Sequence, residues 1–289
     1  MATPHPPHHR PAPHPHPHDP QPGSDRSEEA MAELLDLDAT AFADLLTDVV
    51  ARTAALAPGA ARVVDLGAGT GTGTLLLAQA FPAAEIVAVD SSAAMLTRLR
   101  SAADAAGIGD RVRTVQADLD DGWPPVAGPD LVWAASSLHH VVDPERLLRG
   151  AHDALAPGGV VAVVEMTATT PVLPDGAARP GFERRLEEAL AHAGWNRYPD
   201  WTPFLRAAGL EVLSRDELRS EPGPGPEVTR WVRVVLERQR TGLAEHLDPE
   251  DRAAIDGFLA APDSPPPHGP GARSGRTLWA ARRPHSTHR

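Results

Sequence analysis

Residues 63–73 read VVDLGAGTGTG, a short β-branched run that ends in an acid and leads into closely spaced glycines. Valines favour a strand, and glycines let the backbone pass close to a ligand because they carry no Cβ. A helical pattern rich in alanine and leucine begins at Thr72. The stretch therefore predicts a strand, a glycine-rich turn and a helix, the unit at which open α/β sheets bind ligands.

The same alternation of short β-branched runs and longer helical runs continues along the chain. Strand candidates are residues 62–66, 85–90, 111–117, 130–135 and 159–165, and helix candidates between them are 72–81, 92–106 and 144–155. Strands that alternate with helices of this length predict βαβ units and a parallel sheet covered on both faces. We therefore expect a mostly parallel α/β fold.

The spacing of the glycines argues against a nicotinamide cofactor. The dinucleotide fingerprint has glycines at the first, third and sixth positions of its motif. Counting from Gly67 puts Thr72 at the sixth position, and counting from Gly69 puts Thr74 there. Neither register fits, so NAD(P) binding is disfavoured.

Five motifs follow one another in order within residues 60–165. They are DLGAGTG at 65–71, EIVAVDSSAAML at 85–96, VQADL at 115–119, PDLVWAASSLHH at 129–140 and ALAPGGVVAVV at 154–164. In this order the chain resembles the class I S-adenosylmethionine-dependent methyltransferases. The resemblance implies a Rossmann-like, seven-stranded, mostly parallel sheet with helical insertions. It also implies S-adenosyl-L-methionine as the cofactor and methyl transfer as the activity.

The acids at three strand ends have roles that follow from their chemistry. A carboxylate can accept both vicinal hydroxyls of a ribose, and Asp90 lies about one βαβ turn after Asp65. Asp118 can accept from an adenine amine while the amide of Leu119 meets a ring nitrogen. The resemblance further implies that Asp65 and Gly67 hold the methionine part, with carbonyls near Ala135 facing its ammonium. The predicted cofactor-binding residues are Asp65, Gly67, Ala68, Gly69, Thr70, Gly71, Asp90, Ser91, Met95, Asp118, Leu119 and Ala135.

Each acid also has a purely structural interpretation. Asp65 can be a polar strand end, Asp90 a neighbour of a helix cap at Ser91 or Ser92, and Asp118 a turn residue with Asp120 and Asp121. Their joint position at strand ends favours the cofactor site.

His139 is the predicted catalytic residue. Methyl transfer depends above all on alignment, so a base is optional, but a hydroxyl or carboxyl acceptor would use one. His139 and His140 follow the fourth strand and titrate in a suitable range. The alternative is that these imidazoles only pack or hydrogen-bond the loop.

The resemblance also implies that the acceptor side lies in three segments outside the core at 60–165: an N-terminal helix at 28–57 and insertions at 167–200 and 222–262. Large flat side chains lie in or near them, and these either line an apolar pocket or pack in the core. They are Trp195, Tyr198, Trp201 and Trp231.

Composition separates a tail from the folded part. Residues 1–22 hold six of the 14 histidines and nine of the 31 prolines, so residues 1–27 are expected to be a disordered tail, as are residues 284–289. Weak metal binding is the alternative for the histidines. Residues 28–283 are then expected to form the methyltransferase domain.

Charge and residue usage narrow the function further. The net charge of −12 disfavours nucleic acid as a partner, and the absence of lysine and cysteine excludes Schiff-base, P-loop and thiolate chemistry. No apolar stretch approaches the length of a bilayer span or a signal peptide, so a cytoplasmic protein with no membrane partner is expected. The leading hypothesis is methyl transfer to a small molecule, possibly in secondary metabolism. A non-catalytic cofactor-binding scaffold and a nicotinamide-dependent reductase are the alternatives, and the oligomeric state is not predicted.

Overall fold

The fold comes from a computed structural model that describes residues 25–195, 199–261 and 270–285. The helices in these ranges are α1 (Asp25–Ala41), α2 (Ala43–Leu56), α3 (Thr72–Ala80), α4 (Ala93–Ala105), α5 (Pro144–Ala154), α6 (Phe182–His192), α7 (Thr202–Ala207), α8 (Pro226–Gly242) and α9 (Pro249–Ala260). The strands are β1 (Arg62–Leu66), β2 (Glu85–Asp90), β3 (Val112–Gln116), β4 (Leu131–Ala135), β5 (Val160–Val172), β6 (Glu211–Ser220) and β7 (Gly271–Arg282).

One seven-stranded sheet has the order β3-β2-β1-β4-β5-β7-β6. The first five strands are parallel to one another, and β7 runs antiparallel between β5 and β6. The order reverses beside β1, between β2 and β4, so the carboxyl ends of these strands meet at the edge where such sheets bind ligands. The predicted Rossmann-like, mostly parallel α/β fold is confirmed.

Both faces of the sheet are covered, which explains the near-continuous valine runs of the central strands. On one face, α2, α3, α6 and α8 pack residues such as Val49, Leu77 and Trp231 against β1, β4 and β5. On the other face, α5 and α7 pack Leu148 and Leu205 against the same strands. Most side chains buried between these layers are apolar, and a polar side chain buried there needs a hydrogen-bond partner.

Three predicted boundaries differ from the structure. The single helix expected at 28–57 is two helices, and Phe42 at their junction packs edge-on against Trp231 with ring centroids 5.2 Å apart. The segment after Glu165 does not leave the sheet at once, because β5 continues to Val172 in antiparallel pairing with β7. α1 begins at Asp25, inside the predicted tail, while residues 1–24 and 286–289 lie outside the described residues.

Asp65 is a buried acid at the end of β1. Its carboxylate accepts a hydrogen bond of 2.6 Å from the Thr74 hydroxyl, which ties the first turn of α3 to the strand. Burial raises the pKa of Asp65 from 3.8 to about 7, the Thr74 hydrogen bond lowers it in part, and the nearby charge of Asp90 raises it further. The folded protein therefore binds a proton at Asp65 that the unfolded chain releases at lower pH.

Asp65→Asn should flatten the pH dependence of stability. A folded-state pKa above the unfolded one makes this group's contribution largest below pH 4 and diminishes it as the pH rises towards 7. The free energy of unfolding of the wild type should thus fall, relative to that of the variant, by up to about 4 kcal/mol over this interval. Urea unfolding at a series of pH values measures the difference.

Asp175→Asn is the matched control, since Asp175 is exposed in the loop after β5. It should run parallel to the wild type across the same pH range. An Asp65→Asn curve that also runs parallel would contradict the assignment of a raised pKa to Asp65.

Candidate functional site

The glycine turn after β1 is held by backbone contacts to the two neighbouring strands. The amides of Gly67 and Ala68 both donate to the carbonyl of Val89, at 2.8 and 2.9 Å. Gly67 has φ of +69°, and a Cβ added there would lie 2.4 Å from the Cβ of Ser137. Ser137 in turn donates its hydroxyl to the carbonyl of Leu66 at 2.8 Å. Glycine is required at position 67 because both the backbone conformation and the space exclude a side chain.

Asp90 anchors the next segment along this edge. One carboxylate oxygen accepts the amide of Gly69 at 2.9 Å, and the other accepts the amide of Ser92 at 2.9 Å. Ser92 is the N-cap of α4 and accepts from the amide of Met95. Asp90 therefore joins the glycine turn to the start of α4 while remaining half-buried beside the turn.

Asp118 has a similar double position after β3. Its carboxylate accepts the amide of Asp120 at 2.9 Å and so begins a short 3₁₀ turn over Leu119–Asp121. The side chain is nevertheless exposed towards the same edge as Asp90. Asp118 is thus a turn residue, as the structural interpretation of the sequence has it. This role uses one carboxylate oxygen, and the second oxygen is available for a ligand.

A cavity of about 430 Å³ opens at this edge of the sheet. Ten of the predicted cofactor-binding residues line it: Gly67, Ala68, Gly69, Thr70, Asp90, Ser91, Met95, Asp118, Leu119 and Ala135. Asp65 and Gly71 do not line it. Asp65 lies beneath the turn, and Gly71, with φ of +101°, is the N-cap of α3 packed against Leu99. The tertiary structure thus brings most of the predicted set to one wall.

Further lining residues come from two places. α1 and α2, within the segment 28–57 expected on the acceptor side, contribute Met31, Leu35, Asp38, Ala39, Leu46 and Val50. The end of β4 and the loop after it contribute His140, the second histidine considered as a base, and four residues not singled out from the sequence: Trp133, Ser136, Ser137 and Val141. Ser136 has φ of +51°, rare for a residue other than glycine, and its amide donates to the carbonyl of Val164. The helical periodicity of α1 and α2 marked apolar faces, but no local signal told which face would meet the cavity.

The two histidines after β4 have different surroundings. His139 lies 2.8 Å, through Nδ1, from a carboxylate oxygen of Glu165, and its side chain is only 8% exposed. His140 is exposed and lines the cavity, whereas His139 does not. The two rings contact each other with centroids 3.9 Å apart. His139, the predicted base, is therefore buried outside the cavity, and its neighbour His140 lines the cavity.

The tryptophans considered for the acceptor pocket pack in the core instead. Trp201 and Trp231 are each 1% exposed, on opposite faces of the sheet. Trp195 packs beneath the guanidinium of Arg238 and against Gly242. Tyr198 lies outside the described residues. The pocket interpretation is wrong for the three described tryptophans, because none lines the cavity: Trp201 and Trp231 are buried between the sheet and its helices, and Trp195 packs partly buried against α8.

Within residues 25–195, 199–261 and 270–285, no group of three or more His, Cys, Asp or Glu side chains is arranged to hold a metal ion. Every helix within the same ranges is too short or too polar to cross a membrane. The histidines of the N-terminal segment lie outside these residues.

Comparison with known proteins agrees with this geometry. A profile of the methyltransferase domain family matches residues 64–161. The chain is 34% identical over 213 residues to trans-aconitate 2-methyltransferase of Paracidovorax citrulli, a match that covers 70% of this chain and 76% of the relative. It is 32% identical over 234 residues to the protein of the same name in Methylobacterium radiotolerans, with 74% and 80% covered.

A solved structure supports the fold alone. The YcgJ protein of Bacillus subtilis superposes with a TM-score of 0.52 at 17% identity, covering 83% of this chain and 99% of that one. The motif order, the sheet topology and the two relatives together support the leading interpretation of the sequence over the scaffold and the reductase. The chain belongs to the class I S-adenosylmethionine-dependent methyltransferase family and is an enzyme of that family.

Proposed function

We propose that the cavity beside the glycine turn binds S-adenosyl-L-methionine and that the small-molecule acceptor enters from the side of α1 and α2. The observation that carries this proposal is the turn itself. A Cβ at Gly67 would collide with Ser137, so bare backbone lines the cavity at this point. Such a surface suits the close approach of a cofactor, and the acids beside it match the hydroxyls and amine that the cofactor presents.

The roles of the binding residues follow their positions. Asp90 accepts the ribose hydroxyls, since its two oxygens already point along the edge where they hold Gly69 and Ser92. Asp118 accepts from the adenine amine, and the amide of Leu119 donates to the ring. The methionine part lies along Gly67–Gly71, near the carbonyl of Ala135. Asp65 acts from beneath the turn by fixing its shape through Thr74. Ser91 and Met95 complete the wall beside the ribose.

When bound, the cofactor supplies an electrophilic methyl group on a sulfonium. The protein's contribution is alignment, because an in-line displacement gains most from holding the two reactants in one geometry. The end of β4 is suited to this task. Ser136 and Ser137 are held by backbone and hydroxyl hydrogen bonds, so the wall that faces the reacting groups is rigid.

For a hydroxyl acceptor we assign the base to the histidine pair after β4. His140 lines the cavity and would contact the acceptor, while His139 positions it through ring contact. Glu165 orients His139 from a fully buried position. The sequence predicts His139 as the base, whereas this proposal gives the direct contact to His140 and leaves His139 a positioning role.

The domain limits and the cytoplasmic location stay predictions from the sequence. Residues 60–165 would then be the cofactor-binding core of a domain spanning 28–283. α1 and α2 line the cavity together with residues of α3 and α4, and the acceptor side is assigned to α1 and α2 because they lie outside the motifs at 60–165.

Asp90→Ala should weaken the binding of S-adenosylhomocysteine by about 10- to 150-fold, the equivalent of roughly 1.5–3 kcal/mol for a hydrogen bond to a charged group. Isothermal titration calorimetry measures the affinity. Asp130→Ala is the matched control, because the Asp130 carboxylate also accepts two backbone amides, those of Ala61 and Arg62, at the opposite end of the sheet.

The control should lose stability and keep its affinity for S-adenosylhomocysteine. An unchanged affinity in the Asp90 variant would remove Asp90 from the site. An equal loss in both variants would mean that the effect is one of general stability.

His140→Gln should lower kcat by about 10²- to 10⁴-fold and remove the rising limb of the pH–rate profile. The assay uses the best acceptor from a panel of hydroxylated compounds with labelled cofactor. His139→Gln should lower kcat less and shift that limb without removing it. His152→Gln, on α5 beside Asp153, is the control and should leave the profile unchanged. Loss of the limb in the His139 variant alone would return the role of base to His139.

A further inference from the structure

The cavity has two chemically different walls. The wall made by the glycine turn and the ends of β2 and β3 is polar and carries Asp90 and Asp118. The other lining residues are mostly apolar and are contributed by α1, α2, α3 and the region of β4. Those that we call the apolar wall are Met31, Leu35, Ala39, Leu46, Val50, Leu76, Trp133 and Val141. With the cofactor on the polar wall, the acceptor contacts the apolar one.

The charges around the cavity are almost all negative. Asp38, Asp90, Asp118 and Asp120 line it, and none of the described residues that line it is an arginine. The chain has no lysine that might supply a cation instead. Among the described lining residues, the one basic group is the imidazole of His140. With the cofactor beside Asp90 and Asp118, an acceptor with several negative charges would meet this basic group alone among them.

The nearest buried cation is already committed to a protein contact. Arg276 on β7 is 2% exposed, and its Nη2 lies 2.6 Å from a carboxylate oxygen of Asp38. Its Nη1 donates to the Ser274 hydroxyl at 2.6 Å. The Arg276 guanidinium thus joins β7 to α1 through an ion pair with Asp38. Asp38 lines the cavity, and Arg276 does not.

Removing a carboxylate from water costs several kcal/mol unless a cation or a set of donors replaces the hydration. A tricarboxylate such as trans-aconitate, which the names of the relatives specify, would bury three such groups beside acids and apolar side chains. An alkyl or aryl group on the apolar wall instead gains free energy in proportion to the area it buries. The two effects point in the same direction.

Resting on the proposed function, we propose that the acceptor of this enzyme is an uncharged, predominantly apolar small molecule with one nucleophilic group, and not a polycarboxylate. Its apolar part lies on the apolar wall, and its hydroxyl lies towards His140. The identity of the acceptor would then differ from that of the named relatives although the fold and cofactor are shared.

The test compares binding to enzyme saturated with S-adenosylhomocysteine. The probes are hexan-1-ol, heptan-1-ol, octan-1-ol, octylammonium and trans-aconitate. Their binding is measured by competition calorimetry and by tryptophan fluorescence. Each added methylene in the alcohol series should tighten binding by about three- to fourfold until the wall is filled. The Kd of octan-1-ol should be at least about tenfold lower than that of trans-aconitate.

A pair of variants tests whether the absence of a cation on the apolar wall is the reason for weak trans-aconitate binding. Leu46→Arg places a guanidinium on the apolar wall, and Leu46→Gln is the matched uncharged control. The arginine variant should gain affinity for trans-aconitate at least tenfold over the glutamine variant, and both should lose affinity for octan-1-ol. Binding of S-adenosylhomocysteine reports that each variant is folded.

The outcomes separate this inference from the proposed function. If S-adenosylhomocysteine does not bind the wild type, the proposed function itself fails. If it binds, and trans-aconitate or octylammonium binds as tightly as octan-1-ol or more tightly, only the present inference is overturned. The same holds if no alcohol binds at about 1 mM to enzyme that binds S-adenosylhomocysteine.

Discussion

The ligand edge of this sheet depends on the absence of a side chain at one position, Gly67. There the chain leaves β1 in the left-handed region, and its amide and the next one share the carbonyl of Val89. The side of the turn towards β4 is closed by Ser137, whose hydroxyl reaches back to Leu66. A larger residue at 67 would have to displace Ser137, so β1 is joined at this point to β2 through backbone amides and to the end of β4 through the Ser137 hydroxyl.

The acids around this turn differ in their exposure to solvent. Asp65 is buried, and burial shifts its pKa towards neutrality against the single hydrogen bond from Thr74. Asp90 is half-buried and uses its oxygens on two backbone amides. Asp118 is exposed and caps a short turn. Asp38, on α1, is matched by the buried guanidinium of Arg276. The result is a cavity with a polar, acidic wall and an apolar one.

Prediction from the sequence worked where function depends on local chain geometry. The glycine turn, the acids at strand ends and the ends of most helices are encoded by neighbours in the sequence, and ten of twelve predicted cofactor-binding residues line the cavity. It was less accurate for β5, whose extension past Glu165 is stabilised by pairing with β7, a strand more than a hundred residues later in the chain. It also chose His139 as the base although His140 lines the cavity, because a 3₁₀ turn at 138–140 and the distant Glu165 decide which ring faces the cavity.

The sequence by itself determined the fold class, the family and the edge of the sheet at which the cavity opens, since strand–turn–helix units with glycines and acids at set spacings carry their geometry within a few residues. Only the tertiary structure decided which side chains face the acceptor. The apolar faces of α1 and α2 read the same whether they meet a core or a cavity, and the tryptophans that suggested a pocket are core residues. Burial and the pairing of distant charges, such as Arg276 with Asp38, arise only when remote segments pack, and they give the cavity its acidic and apolar walls.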